Sequence, residues 1–270
     1  MKKSIRRILS VIILTVLLTA LVSCAAGGKE TLICGVTQFE PMNYLDSDGN
    51  WTGFDTEFAL LVGEKLGMEV KFQEITWSQK FVELQSGAIN CIWNGLTANT
   101  VDGTTGRPRH EDVDFSYSYM LNRQCAVIKA DRAGELASVG DLSGKTATAE
   151  KGSAGETIAL NIIGDGGIID VTSQIDTFVE VKSGAVDFAV IDSILAYRLT
   201  GSGDFADLAV ADITLASESE VYAIGFPKGS DMVQKVNQAI QELYDEGKLT
   251  EIAAKYGLEN SLVIGREPIR

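Results

Sequence analysis

The amino-acid sequence predicts an α/β fold made of two units, each a mostly parallel sheet flanked by helices. Strand-like apolar runs at 32–36, 70–72 and 89–93 alternate with helix-like segments. Because a strand–helix–strand–helix–strand order gives parallel strands with right-handed crossovers, these runs predict one parallel sheet. The alternation restarts at residue 125 without a low-complexity linker, which indicates that the chain passes between two units as continuous strands.

The helices of the first unit are predicted from apolar spacing and from capping residues. Phe58 and Leu61 fall on one face of a helix at 57–66, and Gly67 is placed to end it. Ser78 is the predicted N-cap of a second helix, because a serine side chain can accept a hydrogen bond from a backbone N–H of the first turn.

The second unit follows the same alternation. Its strands are predicted at 125–129, 145–149 and 187–191, and a late strand at 221–226. A helix is expected from about residue 156. Near the C-terminus, Ser230 or Asp231 is the predicted cap of one helix, and Thr250 is the predicted cap of the last.

Composition and charge narrow the classes of function. The chain has 270 residues, of which 45% are hydrophobic and 22% charged, so a globular protein with a substantial core is expected. A formal net charge of -14 argues against nucleic acid or an anionic bilayer as the main partner. The chain has a single histidine, and its cysteine spacing matches no metal motif, so neither a metal nor another cofactor is expected.

The N-terminus has the pattern of a secretory signal. Basic residues precede an apolar run at 8–22, namely Lys2, Lys3, Arg6 and Arg7. The sequence Leu21-Val22-Ser23-Cys24 is similar to the bacterial lipobox, which implies a signal peptide at 1–23 and a lipid on the Cys24 thiol, followed by a short leash at 24–30. An ordinary cleaved signal and a short membrane anchor are the alternatives.

The other cysteines lie in strand-like apolar runs. Their odd number, at Cys34, Cys91 and Cys125, argues against a complete disulfide framework and favours buried thiols. A Cys34–Cys91 bridge stays open if the two strands are neighbours.

A set of short motifs occurs in a fixed order along the chain. They are Gly53-Phe54-Asp55, the segment 88–97 with its Asn94-Gly95-Leu96-Thr97, Asp114-Phe115-Ser116 with Tyr119, the segment 141–145, and the segment 184–192. Together they resemble the extracytoplasmic solute-binding proteins, family 3 type, that serve ABC importers of amino acids. The resemblance covers essentially residues 31–257.

The resemblance implies a two-lobed periplasmic-binding-protein-like fold, with the lobes joined by two crossing strands. The first lobe is expected at 30–124 plus 222–270, and the second at 125–221. A free amino acid would lie in the cleft, and the lobes would close on it by a hinge motion.

A zwitterionic amino acid needs partners for both of its charges, because burying either charge unpaired is costly. The resemblance implies that Thr97 binds the carboxylate and that Gly95 allows a close approach of the backbone. Five residues after this threonine, where the family has its arginine, this chain has Asp102, because residues are inserted between 99 and 107. Counting back from Phe115 selects Arg109, and Arg107 is the alternative.

The second lobe supplies the remaining polar groups. Ser153 and the Ala154 N–H lie where a helix begins, a position that favours an anion. Asp192 matches the family aspartate that pairs with the ligand ammonium, although it could also cap a helix. Glu150 would favour a ligand side chain with donors or positive charge if it points inward, and a solvated loop glutamate is the alternative.

Aromatic walls of the pocket are implied at Phe39 and Trp77, with ordinary hydrophobic packing as the alternative for each. Many family members carry an acidic residue for the ammonium where this chain has Val36. Gln38 or Glu40 could replace that residue, or Asp192 could act alone.

The predicted function is a receptor that captures a free amino acid, with a polar or basic one favoured, and delivers it to an ABC permease. It is expected to be a monomer on the outer face of the cell membrane, held there only by the lipid on Cys24. The alternative is an enzyme similar to cyclohexadienyl dehydratase. It is not favoured, because such chemistry needs a positioned acid or base and the lone histidine is badly placed.

Overall fold

The computed structural model describes residues 29–163, 167–216, 219–267 and 269. The predicted signal peptide at 1–23 and the predicted lipidation site, Cys24, lie outside these residues. Contacts divide the chain into residues 1–30 and a second unit, 31–270, which contains every element named below. Within the described ranges, no helix has the length and apolarity needed to cross a bilayer.

The strands and helices follow the predicted alternation. In chain order, the strands are Thr31–Val36 (β1), Tyr44–Leu45 (β2), Trp51–Thr52 (β3), Glu69–Glu74 (β4), Cys91–Ile92 (β5), Asp114–Phe115 (β6), Ser118–Asn122 (β7), Gln124–Lys129 (β8), Ala147–Glu150 (β9), Ile168–Val171 (β10), Phe188–Asp192 (β11), Leu208–Val210 (β12), Glu220–Tyr222 (β13), Gly225–Phe226 (β14) and Leu262–Gly265 (β15). The α-helices are Phe54–Leu66 (α1), Lys80–Ser86 (α2), Arg109–Asp112 (α3), Val139–Leu142 (α4), Ala154–Ile163 (α5), Gln174–Ser183 (α6), Ser193–Leu199 (α7), Met232–Asp245 (α8) and Lys248–Tyr256 (α9).

Two five-stranded sheets organise these elements. The first has the spatial order β4-β1-β5-β14-β6, and the second has the order β10-β9-β11-β8-β12. β1 is parallel to β4 and β5, and β9 is parallel to β10 and β11, so the parallel pairing predicted for the first unit is confirmed. β14 and β8 add antiparallel pairs, so each sheet is mixed. We call the first sheet, with the helices and loops that precede β7 or follow β13, the first lobe. We call the second sheet, with the helices and loops from β8 to β12, the second lobe.

A three-stranded ribbon lies between the two sheets along the chain. β7 follows β6 of the first sheet and precedes β8 of the second, and it pairs with β13 on one side and β15 on the other. The single late strand predicted at 221–226 is instead divided into β13 in this ribbon and β14 in the first sheet. The lobe boundaries at 124/125 and 221/222 stay a prediction.

Two of the predicted helix caps are wrong. A 3-10 turn at Trp77–Gln79 precedes α2, so α2 begins at Lys80 and Ser78 lies inside the turn instead of capping the helix. α9 begins at Lys248 because the carbonyl of Gly247 already accepts a hydrogen bond from the Glu251 N–H, at 3.0 Å, so Thr250 lies within the helix. Asp231 occupies the N-cap position of α8, although its side chain makes no capping bond.

The cysteines within the described residues, Cys34, Cys91 and Cys125, are buried, as predicted. Cys34 and Cys91 are paired residues of β1 and β5, with their sulfur atoms 3.6 Å apart. Both are free thiols, as is Cys125. The two strands are therefore neighbours, but the bridge that the sequence left open is not formed. Burial raises the pKa of the Cys34 thiol well above its usual value.

Candidate functional site

A polar cavity lies between the two lobes. Its walls are Thr37, Trp77, Asn94, Gly95, Thr97, Arg109, Glu150, Ser153, Ala154, Gln174 and Asp192. The first six belong to the first lobe and the others to the second. All of the predicted ligand-binding residues except Phe39 are among them, although they are separated by long stretches of sequence.

The cavity is narrow. The free space between these side chains is about 270 Å³. Residues of both lobes enclose it, so the lobes must separate for an amino acid to enter.

Arg109 lies in the wall of the cavity, and Arg107 does not. The side chain of Arg109 is 1% exposed, and it donates to the carbonyl of Thr97 at 2.8 Å and to the carbonyl of Gly152 at 3.1 Å. Arg107 has a side chain that is 54% exposed and pairs with Asp112. Of the two arginines that the sequence left open, only Arg109 is therefore placed to meet a ligand.

A buried ion pair behind Arg109 escaped the sequence analysis. The ammonium nitrogen of Lys80 lies 2.5 Å from a carboxylate oxygen of Asp102, and both side chains are fully buried. The same oxygen lies 3.4 Å from Nε of Arg109. Burial opposes the ionisation of Asp102, but the charges of Lys80 and Arg109 outweigh it and lower the pKa of Asp102. Burial, followed by the charge of Arg109, lowers the pKa of Lys80 to about 8.

The backbone at Gly95 is held in place by Phe39 and Asp55. Gly95 has φ of 56°, and a Cβ atom there would lie 2.5 Å from the ring of Phe39. Phe39 packs against this turn and edge-on against Tyr222, with ring centroids 6.3 Å apart, which explains why Phe39 supports the wall instead of forming its surface. The Gly95 N–H donates to Asp55 at 2.8 Å, and the Tyr119 hydroxyl donates to the same carboxylate oxygen at 2.9 Å.

The loop between β9 and α5 leads into a helix start that faces the cavity. α5 begins at Ala154, and the first backbone N–H groups of a helix have no partner within the helix. Ser153 accepts a hydrogen bond from the Glu156 N–H at 3.0 Å, so its hydroxyl proton stays available to a ligand. Glu156 in turn accepts from the Gly152 N–H at 2.6 Å, which holds this loop in shape.

Glu150 points inward. It is 3% exposed, so the alternative of a solvated loop glutamate is wrong. Its Oε1 atom is buried and has no hydrogen-bond partner in the part of the chain that the structure describes. Burial, followed by the nearby charge of Asp192, raises the pKa of Glu150 to about 8. A ligand group that donates a hydrogen bond or carries positive charge would satisfy this oxygen.

Asp192 ends β11 and faces the cavity. Its carboxylate accepts hydrogen bonds from Asn122, from Gln174, from Gln124 at 2.9 Å and from the Tyr222 hydroxyl at 2.9 Å. Asp192 is the N-cap residue of α7, but its side chain makes no capping bond. Burial raises the pKa of Asp192, and the bonds from Gln174 and Tyr222 oppose this effect.

A further carboxylate, Glu220, stands behind Asp192. It accepts from Asn122 at 2.8 Å and from Gln124 at 2.9 Å, the same two amides that bind Asp192. Burial and the charge of Asp192 raise its pKa to about 7. No local pattern marks Glu220 as a site residue, because the stretch before β13 is polar and resembles a surface loop.

The other candidates for the ammonium lie outside the cavity. Glu40 forms a salt bridge with Arg198, at 2.7 Å, on the surface. Gln38 is exposed and lines a different groove, which shares only Thr37 with the cavity. Asp192 and Glu150 are therefore the two carboxylates in the cavity wall.

Two α/β lobes linked by crossing strands, with polar groups from both lobes meeting in one cavity, define a solute-binding protein of the hinge type. The model of the bacterial extracellular solute-binding proteins, family 3, matches residues 32–259. The chain belongs to this family.

Individual relatives agree with this assignment. The chain is 30% identical to the arginine-binding extracellular protein ArtP of Bacillus subtilis (strain 168) over 249 residues, which cover 90% of this chain and 93% of ArtP. It is 28% identical to the L-cystine-binding protein TcyA of the same organism over 220 residues, covering 81% of this chain and 77% of TcyA.

Among solved structures, the chain resembles a substrate-binding protein of an ABC uptake transporter from Streptococcus pneumoniae with bound histidine. The TM-score is 0.76 at 32% identity, and the match covers 88% of this chain and 95% of that one. These relatives are named as binding proteins, which does not favour the dehydratase alternative.

Proposed function

We propose that this protein captures a free amino acid in the cavity between its lobes and delivers it to the permease of an ABC importer. The observation that carries the proposal is the position of Arg109 and Asp192 in the walls of one cavity, on opposite lobes. A guanidinium and a carboxylate placed in this way can neutralise the two charges of a zwitterion.

The carboxylate of the ligand would bind at the Arg109 end of the cavity. The guanidinium has five N–H donors, and the structure uses only part of that capacity. The Ser153 hydroxyl and the N–H groups at the start of α5 add donors from the second lobe, where the helix dipole also favours an anion. Gly95 and Thr97 bring the backbone of the first lobe close to the same point.

The ammonium of the ligand would bind to Asp192. This carboxylate is held in place by four side-chain donors, so it meets the ligand in a preformed orientation. Glu220 positions Asp192 through the two amides that they share.

The side chain of the ligand would meet Glu150 and Trp77. The unpartnered oxygen of Glu150 favours a cationic or donor-bearing side chain. The names of the relatives, arginine-binding and L-cystine-binding, are consistent with a ligand that carries a second cationic group.

The remaining parts of the proposal concern the organisation of the chain. Sheet membership supports a first lobe at 30–124 plus 222–270 and a second lobe at 125–221. The sequence before residue 30 supports secretion and a lipid anchor on Cys24, which would hold a monomeric receptor on the outer face of the membrane.

Calorimetric titration of the purified protein with each of the twenty amino acids and with L-cystine tests the function. We expect saturable binding of at least one basic or diamino ligand, with weaker or no binding of acidic amino acids. Binding of none of these compounds would overturn the proposal, and selective binding of an acidic amino acid would overturn the assignment of ligand class.

A further inference from the structure

We infer that Lys80 and the turn at 102–104 form a latch that holds the first lobe against the 151–153 loop of the second lobe. We call these two parts the latch and the clasped loop. The inference rests on the proposed function, because it assigns to the latch the task of retaining the bound amino acid.

The latch is an ordered turn within the inserted segment. One carboxylate oxygen of Asp102 accepts from the N–H groups of Thr104 and Thr105, at 3.0 and 3.1 Å. The backbone of Asp102 also exchanges hydrogen bonds with Arg107 and Gly106, at 2.9 and 2.8 Å. The insertion that displaces the family arginine therefore forms a compact turn anchored on the first lobe.

Lys80 connects the two lobes across the cleft. Its ammonium is fully buried, pairs with Asp102 in its own lobe and donates to the carbonyl of Gly152 in the clasped loop at 3.0 Å. Burying a lysine is costly unless its charge and donors are satisfied. The second lobe supplies one of those partners, so the arrangement of Lys80 is complete only when the lobes are together.

The latch and the clasped loop also pack closely at Gly103 and Gly152. A Cβ atom at Gly103 would lie 2.5 Å from Oε2 of Glu156 and 3.3 Å from the carbonyl oxygen of Ser153. A Cβ atom at Gly152 would lie 2.5 Å from the hydroxyl of Thr104. Glu156 cannot move aside at low cost, because its carboxylate is bound to the Gly152 N–H and to Lys151. The latch fits the clasped loop only because both positions lack a side chain.

The latch and the ligand site share one hydrogen-bond acceptor. The Gly152 carbonyl that accepts from Lys80 accepts from Arg109 as well, at 3.0 and 3.1 Å. A ligand carboxylate bound at Arg109 would therefore lie beside the point where the lobes are joined. Contacts made only with the lobes together stabilise that state, so they slow release of the ligand. Because they also hold the ligand-free lobes together, they lower the fraction of protein with separated lobes that can capture it.

A steric wedge tests the latch without replacing any ligand-binding residue. Gly103→Val places a side chain against Glu156 and Ser153 only when the lobes are together. Gly134→Val is the matched control, because Gly134 has open space around the position of its Cβ atom. Lys80→Met is the second variant, since it removes the donor to Gly152. Thermal unfolding without ligand shows whether each variant is folded.

The first readout is the distance between the lobes, measured between spin labels on cysteines introduced at the exposed residues Leu60 and Val179. Without any ligand, we expect Gly103→Val and Lys80→Met to shift the distance distribution towards the separated lobes, and Gly134→Val to match the wild type. Unchanged distributions in the folded Gly103→Val and Lys80→Met variants would overturn the latch.

The second readout is the kinetics of L-arginine binding. We expect the dissociation rate to rise about tenfold to hundredfold in Lys80→Met, the range for loss of a charged hydrogen bond, while the association rate does not fall, because more of the free protein has separated lobes. An unchanged dissociation rate in a folded variant counts against the latch alone. Failure of the wild type to bind any compound of the calorimetric panel counts against the proposed function, and the spin-label distances still decide on the latch.

Discussion

Asp192 and Glu220 accept hydrogen bonds from the same two side-chain amides, those of Asn122 and Gln124. Asp192 faces the cavity, whereas Glu220 lies in the ribbon between the lobes. The shared amides fix the orientation of the carboxylate that would receive the ligand ammonium. Glu220 is therefore a positioning residue for the candidate site.

Replacing these two carboxylates should have unequal effects on binding. Asp192→Asn removes the partner of the ligand ammonium, and the loss of one member of a buried charge pair costs about 2–5 kcal/mol, so affinity should fall at least about thirtyfold. Glu220→Gln leaves Asp192 in place and should lower affinity less than about tenfold. Calorimetric titration of both variants checks the order, and a larger loss for Glu220→Gln would contradict it.

Arg109 and Arg107 provide a matched pair of substitutions two residues apart. Arg109→Gln removes the buried guanidinium and should weaken amino-acid binding at least about thirtyfold, by the same cost of leaving a buried charge unpaired. Arg107→Gln removes a largely exposed guanidinium and should change affinity by no more than about fivefold, because exposed ion pairs contribute about 0–1 kcal/mol. Equal losses in both variants would show that the inserted segment has another arrangement in solution.

Glu150→Gln should change the preference among ligands. The substitution keeps the shape of the side chain and removes the carboxyl that can ionise beside a cationic ligand, so affinity for L-arginine should fall about tenfold to hundredfold, the range for a charged hydrogen bond. Affinity for L-glutamine, whose side chain carries no charge, should change much less. Competition titration with both amino acids measures the ratio, and an unchanged ratio would exclude a direct contact between Glu150 and the ligand side chain.

The raised pKa values predict how stability depends on pH. Glu150 and Glu220 have an ordinary pKa of 4.5, and the folded protein raises these values to about 8 and about 7. A carboxyl with a raised pKa stabilises the fold fully below its unfolded value and loses that contribution as the pH rises through the folded value. Without ligand, the melting temperature should therefore fall between pH 5 and about pH 8 on account of these two groups.

The variant Glu150→Gln isolates one part of this pH dependence. It cannot ionise, so its melting temperature should fall less steeply than that of the wild type over the same range. Asp55, whose pKa burial raises to about 7, retains its contribution in both proteins. Parallel curves for the two proteins would mean that Glu150 is not buried in solution.

Alanine substitutions at Gly95 and Gly49 distinguish the cost of backbone strain from the cost of a steric clash. Both have positive φ, of 56° and 81°, but only Gly95 has a neighbour at the position of a Cβ atom. Gly49→Ala should cost about 1–3 kcal/mol of the free energy of unfolding, from strain alone. Gly95→Ala should cost about 1–3 kcal/mol more, because the new methyl group meets Phe39. Denaturant unfolding of both variants gives the difference, and equal losses would contradict the packing at Gly95.

Much of the fold could be predicted from local patterns. The alternation of strands and helices follows from apolar spacing, and the helix ends at Gly67 and Gly257 follow from glycine chemistry. Ser78 and Thr250 were wrongly predicted as caps because a hydroxyl side chain suits several positions near a helix start. The neighbouring glycine and the 3-10 turn decided where those helices begin.

The residues of the candidate site could be predicted from the sequence only in part. Short motifs were enough to nominate Thr97, Ser153 and Asp192, because each lies at a strand end or helix start that can be found from nearby residues. Counting back from Phe115 favoured Arg109 over Arg107, and the burial of Arg109 agrees with it. Burial and pairing depend on residues that are distant in the chain, so no local pattern indicates that Glu150 points inward.

Lys80 is the clearest case of that limit. In the sequence it is an ordinary lysine of an amphipathic helix, yet folding buries it between Asp102 of its own lobe and Gly152 of the other. The residue types and their order thus specified the class of protein and most of the groups available to a ligand. The assembly of the two lobes determined which of those groups meet, because electrostatic and hydrogen-bond contacts act through space over a few ångströms, whatever the separation along the chain.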